Sequence, residues 1–304
     1  MKEGRLKYLL AAVVSTGMWG FFSIPLRSLK AYPSEQILYY RIFTSLLITW
    51  ITILLFRKNQ LKSDWLGLKN QSPAKRKKII VLTLIAGVLV TGNWYAFIYA
   101  VNHVSLTSAA FAYMVCPLLT AMCGFIILRE ELTKYKFSAM LIAFVSIVFL
   151  AQGSPRDVWW SVFIASLYAF YLIIQRVVVQ IDKFNMLGIQ LVLSCVLMLP
   201  LFIHDFNGLP TDPFFWKTIL EISVFFTIIP LFLSLYALTG LPSSTMGIII
   251  YTNPIVAFAV AFFYFHEPIN NQQLIAYLLL VIAVLVFNWN LLVGLLTKSK
   301  KQVY

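Results

Sequence analysis

Arg41 and Glu221 are charged side chains set well inside long apolar runs of this chain. Each lies about seven residues into its run, roughly 10 Å deep at 1.5 Å per residue. A charge at that depth in hydrocarbon is expensive. Three arrangements relieve it: an ion pair between the two, separate reaches toward the headgroups, or an Arg41 turned inward as the counter-charge of a carboxylate ligand. Asn93 and Asn253 sit in similar runs, and each amide needs a partner away from water, either a ligand in a wet cavity or neighbouring backbone. Trp19, Trp94, Tyr95, Tyr99, Tyr113, Tyr168 and Tyr251 carry rings with polar handles. Such rings suit an amphipathic ligand through stacking or cation–π contact, and equally suit interior packing. Pro25, Pro117, Pro230 and Pro254 interrupt four of the runs, each removing one helical hydrogen bond, as a hinge or as a static kink.

This is binding chemistry. The three histidines are scattered, and Cys116, Cys123 and Cys195 have no metal-ligand spacing, so neither metal nor cofactor is expected. No G-x-x-x-x-G-K-[ST] phosphate loop is present, which disfavours an ATP-driven pump. No His, Asp or Glu cluster gathers near one interface as a membrane enzyme would need, and no ring of charges marks a channel. Glu221 is the one good candidate for coupling through an intramembrane carboxylate.

The elements that must position these groups are membrane helices. The 304 residues are 61% apolar and 12% charged, with mean hydropathy +0.85, against about 45–50% and 25% in ordinary soluble domains. Ten continuous apolar segments are long enough to cross: about 8–28, 35–56, 79–101, 105–128, 135–152, 157–178, 185–203, 214–238, 243–265 and 271–296. Continuous rather than alternating runs exclude a β-barrel. The first segment reads as a retained helix, being longer than a signal peptide's apolar stretch and lacking a small-residue cleavage site.

The net charge of +13 is a topology signal. With the first residues inside, 19 Lys and Arg fall on the inner side and four on the outer, so both termini are read as cytoplasmic. The long connection Arg57–Lys78 holds eight of the inner basic residues. It reads as a solvated linker or as a seat for anionic lipid headgroups.

The chain also matches itself at a constant shift of 137 residues. Tyr99-Ala100 falls on Tyr236-Ala237, Thr107-Ser108 on Ser244-Thr245, Pro117 on Pro254 and Glu130 on Glu267. A weaker match sets Trp19-Gly20-Phe21 and Arg27 against Tyr168-Ala169-Phe170 and Arg176. The expectation is two halves of five spans, 1–152 and 153–304. Because five is odd, the second half enters from the opposite side, giving the inverted repeats usual in secondary transporters. Glu130 and Glu267 would end equivalent helices at opposite faces, organising the tight turns there or latching a gate.

The residues carry a resemblance. Trp19-Gly20 with Pro25, then Glu35 and Tyr40-Arg41, resemble the EamA family of the drug/metabolite transporter superfamily. Asn93-Trp94, Tyr99-Ala100-Val101-Asn102-His103, Leu241-Pro242-Ser243-Ser244-Thr245, Tyr251-Thr252-Asn253-Pro254 and Glu267-Pro268 resemble its RarD-like branch. Cys116-Pro117 stands where that branch usually has Asn-Pro, Tyr40 where a His is common, and Thr239-Gly240 where a basic residue is frequent. These departures bear on substrate rather than fold. The resemblance implies export or exchange of small metabolites, amino acids or drugs across the cytoplasmic membrane. It also implies alternating access around a cavity lined by spans 1, 3, 4, 6, 8 and 9, with spans 5 and 10 peripheral.

Overall fold

A computed structural model describes residues 3–129, 133–178, 180–206, 208–240, 249, 252–268, 271–287 and 289. Tyr251 and Glu130, both singled out from the sequence, lie outside them. Every described element is helical: α1 (Glu3–Gly20), α2 (Ser23–Ser28), α3 (Ser34–Phe56), α4 (Lys58–Lys69), α5 (Pro73–His103), α6 (Leu106–Leu128), α7 (Lys134–Gly153), α8 (Pro155–Val177), α9 (Lys183–His204), α10 (Pro213–Ser223), α11 (Ile229–Gly240), α12 (Thr252–Ala259) and α13 (Asn271–Phe287). A π-helical turn, Val224–Ile228, joins α10 to α11, and a second, Val260–Tyr264, extends α12. Among the described residues six stretches are long and apolar enough to cross a membrane, and shorter apolar helices accompany them. The protein is an all-helical polytopic membrane protein.

Helix starts follow local chemistry. Ser72, Ser154 and Asp212 each precede a proline, and their side chains accept from the backbone N–H of Lys75, Asp157 and Phe214. Ser105 caps α6 through Ser108, and Asp182 caps α9 through Phe184 and Asn185. Among the described residues two helix ends use the left-handed conformation on non-glycine residues, Arg129 at φ 56° and His266 at φ 51°. They lie 137 residues apart, the shift of the sequence repeat.

The structure differs from the sequence reading in three places. The connection Arg57–Lys78 is not a plain linker, since it contains α4 and the first turns of α5. The first span is interrupted, as read from Pro25, but the break at residues 21–22 comes ahead of the proline: α1 stops at Gly20 and α2 begins at Ser23. By contrast α6 runs unbroken across Pro117. One missing N–H in a 23-residue helix removes a bond without ending the helix.

Helix pairing has a regular pattern. α7 packs along α13, α3 along α9 and α6 along α12. α6 also packs on α8 as α1 packs on α12; α5 packs on α8 as α1 packs on α11; α5 packs on α9 as α3 packs on α10. Exchanging the first five spans with the last five maps this set of pairings onto itself. The pair α7–α13 lies at the periphery, joined where the Ser146 hydroxyl donates to the Ala276 carbonyl at 2.6 Å. Similar polar ties cross the interior: Ser15 to Pro230 O at 2.7 Å, Ser161 to Ser108 O at 2.8 Å, and Thr91 with Ser194 at 2.5 Å. Such bonds hold helices together where apolar burial gives little net drive. At Gly20 an added Cβ would stand 2.5 Å from Val256 Cβ, so only glycine admits this approach of α1 to α12.

Candidate functional site

Pro230 shapes the site. An α-helix would pair the carbonyl of Phe226 with the N–H of residue 230, and proline has none. The ladder loosens into the π turn, with the Ile229 N–H bonded to Val224 O. The freed Phe226 carbonyl instead accepts from Trp19 Nε1 at 3.1 Å. The turn also sets Thr227 on the inward face, where it is buried and its hydroxyl accepts from Arg41 Nε at 3.2 Å.

Arg41 is 5% exposed. Its guanidinium lies 4.9 Å from the ring centres of both Phe22 and Trp94, and its backbone carbonyl accepts from Ser223 Oγ at 3.4 Å. No ion pair joins it to Glu221. On α10 the buried stripe is Phe215, Thr218, Ile219 and Ile222, and Glu221 sits half-buried beside that stripe. Among the described residues no carboxylate pairs with Arg41. The described contacts of this buried cation are a neutral hydroxyl and two ring faces, surroundings in which an anionic ligand would be strongly attracted.

Rings lead away from it in sequence. Phe226 stacks on Phe22 at 5.7 Å, Phe22 on Phe97 at 5.7 Å, Phe97 meets Tyr113 at 5.3 Å, Tyr113 meets Tyr168 at 5.9 Å, and Tyr168 stacks on Tyr171 at 5.6 Å. The Tyr171 hydroxyl donates to Gln190 at 3.1 Å. Helices of both halves contribute to this ladder.

Of the residues proposed from sequence, Trp19, Arg41, Trp94, Tyr113 and Tyr168 therefore gather around one region. Tyr95 and Tyr99 do not. They sit one face round α5 from Trp94, where Tyr95 donates to Glu35 at 2.6 Å and Tyr99 stacks on Trp160 at 4.9 Å. Asn93 is 1% exposed and donates to Ile164 O at 3.0 Å, while its Oδ1 has no partner among the described residues. Its backbone-bonded alternative is the one the structure adopts for the amide nitrogen. Asn253 and Pro254 lie in α12, where the Asn253 carbonyl comes up against Gly20 of α1. Phe22, Phe97, Phe226 and Thr227 were not singled out in the sequence. Only Thr227 had a signal, a polar residue three positions before Pro230.

At the end of the bundle away from Arg57–Lys78, Glu267 ties three elements. Its carboxylate pairs with Arg27 of α2 and accepts from the Leu106 N–H that opens α6, at 3.1 Å. Arg27 also lies 4.5 Å from the Phe265 ring. Tyr32 to Asp212 at 3.0 Å and Tyr39 to Asp205 at 3.1 Å join the halves at the same end.

The model of the EamA-like transporter family matches this sequence twice, over residues 6–152 and 157–289. The chain belongs to the EamA-like transporter family. Protein RarD of Streptomyces exfoliatus is 26% identical, the match covering 93% of this chain and 89% of that protein. The uncharacterized transporter YojE of Bacillus subtilis (strain 168) is 25% identical over 93% and 94%, and Protein RarD of Escherichia coli (strain K12) 23% over 92% and 93%. A solved structure titled only as the crystal structure of a protein superposes with a TM-score of 0.63 at 12% identity, covering 92% and 96% of the two chains. That likeness concerns the fold. Family membership makes this EamA-family protein a membrane transporter of small molecules.

Proposed function

We propose that this EamA-family protein is a secondary transporter of the cytoplasmic membrane that exports or exchanges small metabolites, amino acids or drugs bearing an anionic group. The observation that carries the reading is Arg41, buried without an acidic partner beside a ladder of aromatic rings. The substrate's anionic group replaces the missing partner, and Trp94, Tyr113 and Tyr168 receive its apolar body. Trp19 and the unpartnered Oδ1 of Asn93 belong to the wall, and Tyr95 and Tyr99 to the approach. Asn253 and, on the sequence reading alone, Tyr251 are the further candidates from the second half.

The transport cycle is alternating access between two inverted five-helix halves, 1–152 and 153–304, with both termini cytoplasmic. Three observations support the halves: two successive matches to one family model, helix pairings that survive exchange of the halves, and left-handed helix ends 137 residues apart. Pro25 and Pro230, where helices are interrupted, act as hinges; Pro117 and Pro254, equivalent in the repeat, bend without interruption. The Glu267–Arg27–Leu106 junction is the tie that opening at its end must break, and Glu221 is the coupling carboxylate if protons drive the cycle.

The test is flux into proteoliposomes with labelled anionic and cationic amphipathic solutes. Saturable uptake accelerated by unlabelled anion on the opposite side is expected. Linear, unsaturable flux would establish a channel-like facilitator instead.

A further inference from the structure

The stretch Arg57–Lys78 contains eight basic residues and one acidic residue, Asp64. Its acid faces inward. Asp64 is 9% exposed, and its Oδ2 accepts from Asn185 Nδ2 at 2.7 Å and from the Asp182 N–H at 3.1 Å, while Oδ1 accepts from Gln60 at 3.0 Å. Leu68, one turn on, packs with Ile79, Val178, Ile181 and Met186. Arg57 is used as well, paired with Asp182 at 3.1 Å. α4 is therefore bolted to the start of α9, and the seven remaining basic side chains, Lys58, Lys62, Lys69 and Lys75 to Lys78, are all exposed. Among the described residues none of the seven forms an ion pair.

Their arrangement on α4 is ordered. Lys58, Lys62, Trp65 and Lys69 recur at i, i+4, i+7 and i+11, so they share one stripe of the helix. Trp65 is 58% exposed, with Lys69 Nζ 5.4 Å from its ring centre. Large apolar side chains are exposed on both sides of the basic stretch. Phe56, 81% exposed, ends α3 just before it, and Ile80, Val81, Leu84 and Ile85 follow it on α5. The positive groups thus lie where the exposed apolar surface of α3 and α5 gives way to polar residues, the level that lipid phosphates occupy. A tryptophan among lysines is the residue set that suits this level.

We propose that α4 and the first turn of α5 form a docking surface for anionic phospholipid headgroups, with Trp65 set at the interface and Lys58, Lys62 and Lys69 holding the phosphates. Charge complementarity selects the occupant: with Asp64 turned inward the surface offers cations alone. Its apolar margins select a lipid over a soluble anion. Because Asp64 fixes α4 to α9, a bound lipid braces the junction of the two halves. This inference does not depend on the transported substrate.

The experiment uses the full chain in mild detergent and follows thermal unfolding as lipid is added. Phosphatidylglycerol should raise the midpoint, while phosphatidylcholine and soluble glycerol phosphate at matched concentration should not. Each lysine removed should weaken the phosphatidylglycerol response about fivefold, so K58Q/K62Q/K69Q responds only at much higher lipid, and added salt mimics the loss. Equal responses to both lipids, a response to glycerol phosphate alone, or a triple variant that behaves as wild type would each overturn the proposal. Should the triple variant not fold, K62Q alone, with retained phosphatidylglycerol counted by native mass spectrometry, decides the same question.

Discussion

Replacing Arg41 with methionine separates a structural arginine from a ligand-binding one. Methionine keeps an unbranched apolar stem and removes the charge. What is lost within the protein is one hydrogen bond to Thr227 at 3.2 Å and two ring contacts at 4.9 Å. A hydrogen bond from a charged donor is worth about 1.5–3 kcal/mol, and a desolvated cation–π contact up to about 2 kcal/mol. Against roughly 5 kcal/mol of lost contacts stands the penalty of burying a cation, itself several kcal/mol and repaid by no carboxylate. The two nearly cancel, so Arg41→Met should unfold at close to the wild-type temperature. Half of a buried ion pair would behave differently, its removal costing about 3–5 kcal/mol, or on the order of 10 °C. Binding should respond the other way. Removing the charge opposite a buried anionic group costs about 2–5 kcal/mol, a 30-fold or greater loss of affinity. Arg41→Lys should rescue little, because an ammonium lacks the planar face that rests on Phe22 and Trp94. Thermal unfolding in detergent and counterflow in proteoliposomes read the two quantities. A methionine variant that transports normally, or one that unfolds about ten degrees early, refutes the reasoning.

Three further outcomes follow from named contacts. Pro230→Ala restores an N–H that competes with Trp19 for the Phe226 carbonyl and draws the π turn toward α geometry, turning Thr227 away from Arg41; saturable flux should fall while stability changes by less than about 1 kcal/mol. Glu267→Gln keeps the volume but removes the charge facing Arg27 and weakens the bond to the Leu106 N–H; it should destabilise by about 1–3 kcal/mol and speed thiol labelling of a cysteine placed at Lys30, and unchanged labelling would deny the tie a gating role. Asp64→Ala leaves the Asn185 amide and the Asp182 N–H without their acceptor, at a cost of about 1–3 kcal/mol; tryptic cleavage at Lys62 and Lys69 should accelerate, and a wild-type rate would show that α4 is held by other contacts.

How much of this was legible in the sequence depended on whether a feature repeats or is local. Spans could be read because length and continuous apolarity are fixed by bilayer thickness; the capping pairs Ser72-Pro73, Ser154-Pro155 and Asp212-Pro213 stood in the sequence unread, and α5 accordingly starts at Pro73 rather than at 79. Residue type at depth made Arg41 legible too. Its environment was not legible. A count along α10 with a uniform 3.6-residue period assigns Glu221 and Thr227 their faces without allowing for the extra residue of the π turn, and that turn decides that a hydroxyl, not a carboxylate, meets the guanidinium. The proline responsible was visible, but which carbonyl it freed, and that an indole N–H 207 positions away would take it, is a tertiary fact. α4 was missed for a related reason. Its single buried acid, Asp64, has no meaning within a basic run until α9 presents the N–H and amide that it caps. In both places a short-range rule was overridden by a long-range partner, and the two places are the site proposed for the substrate and the surface proposed for lipid.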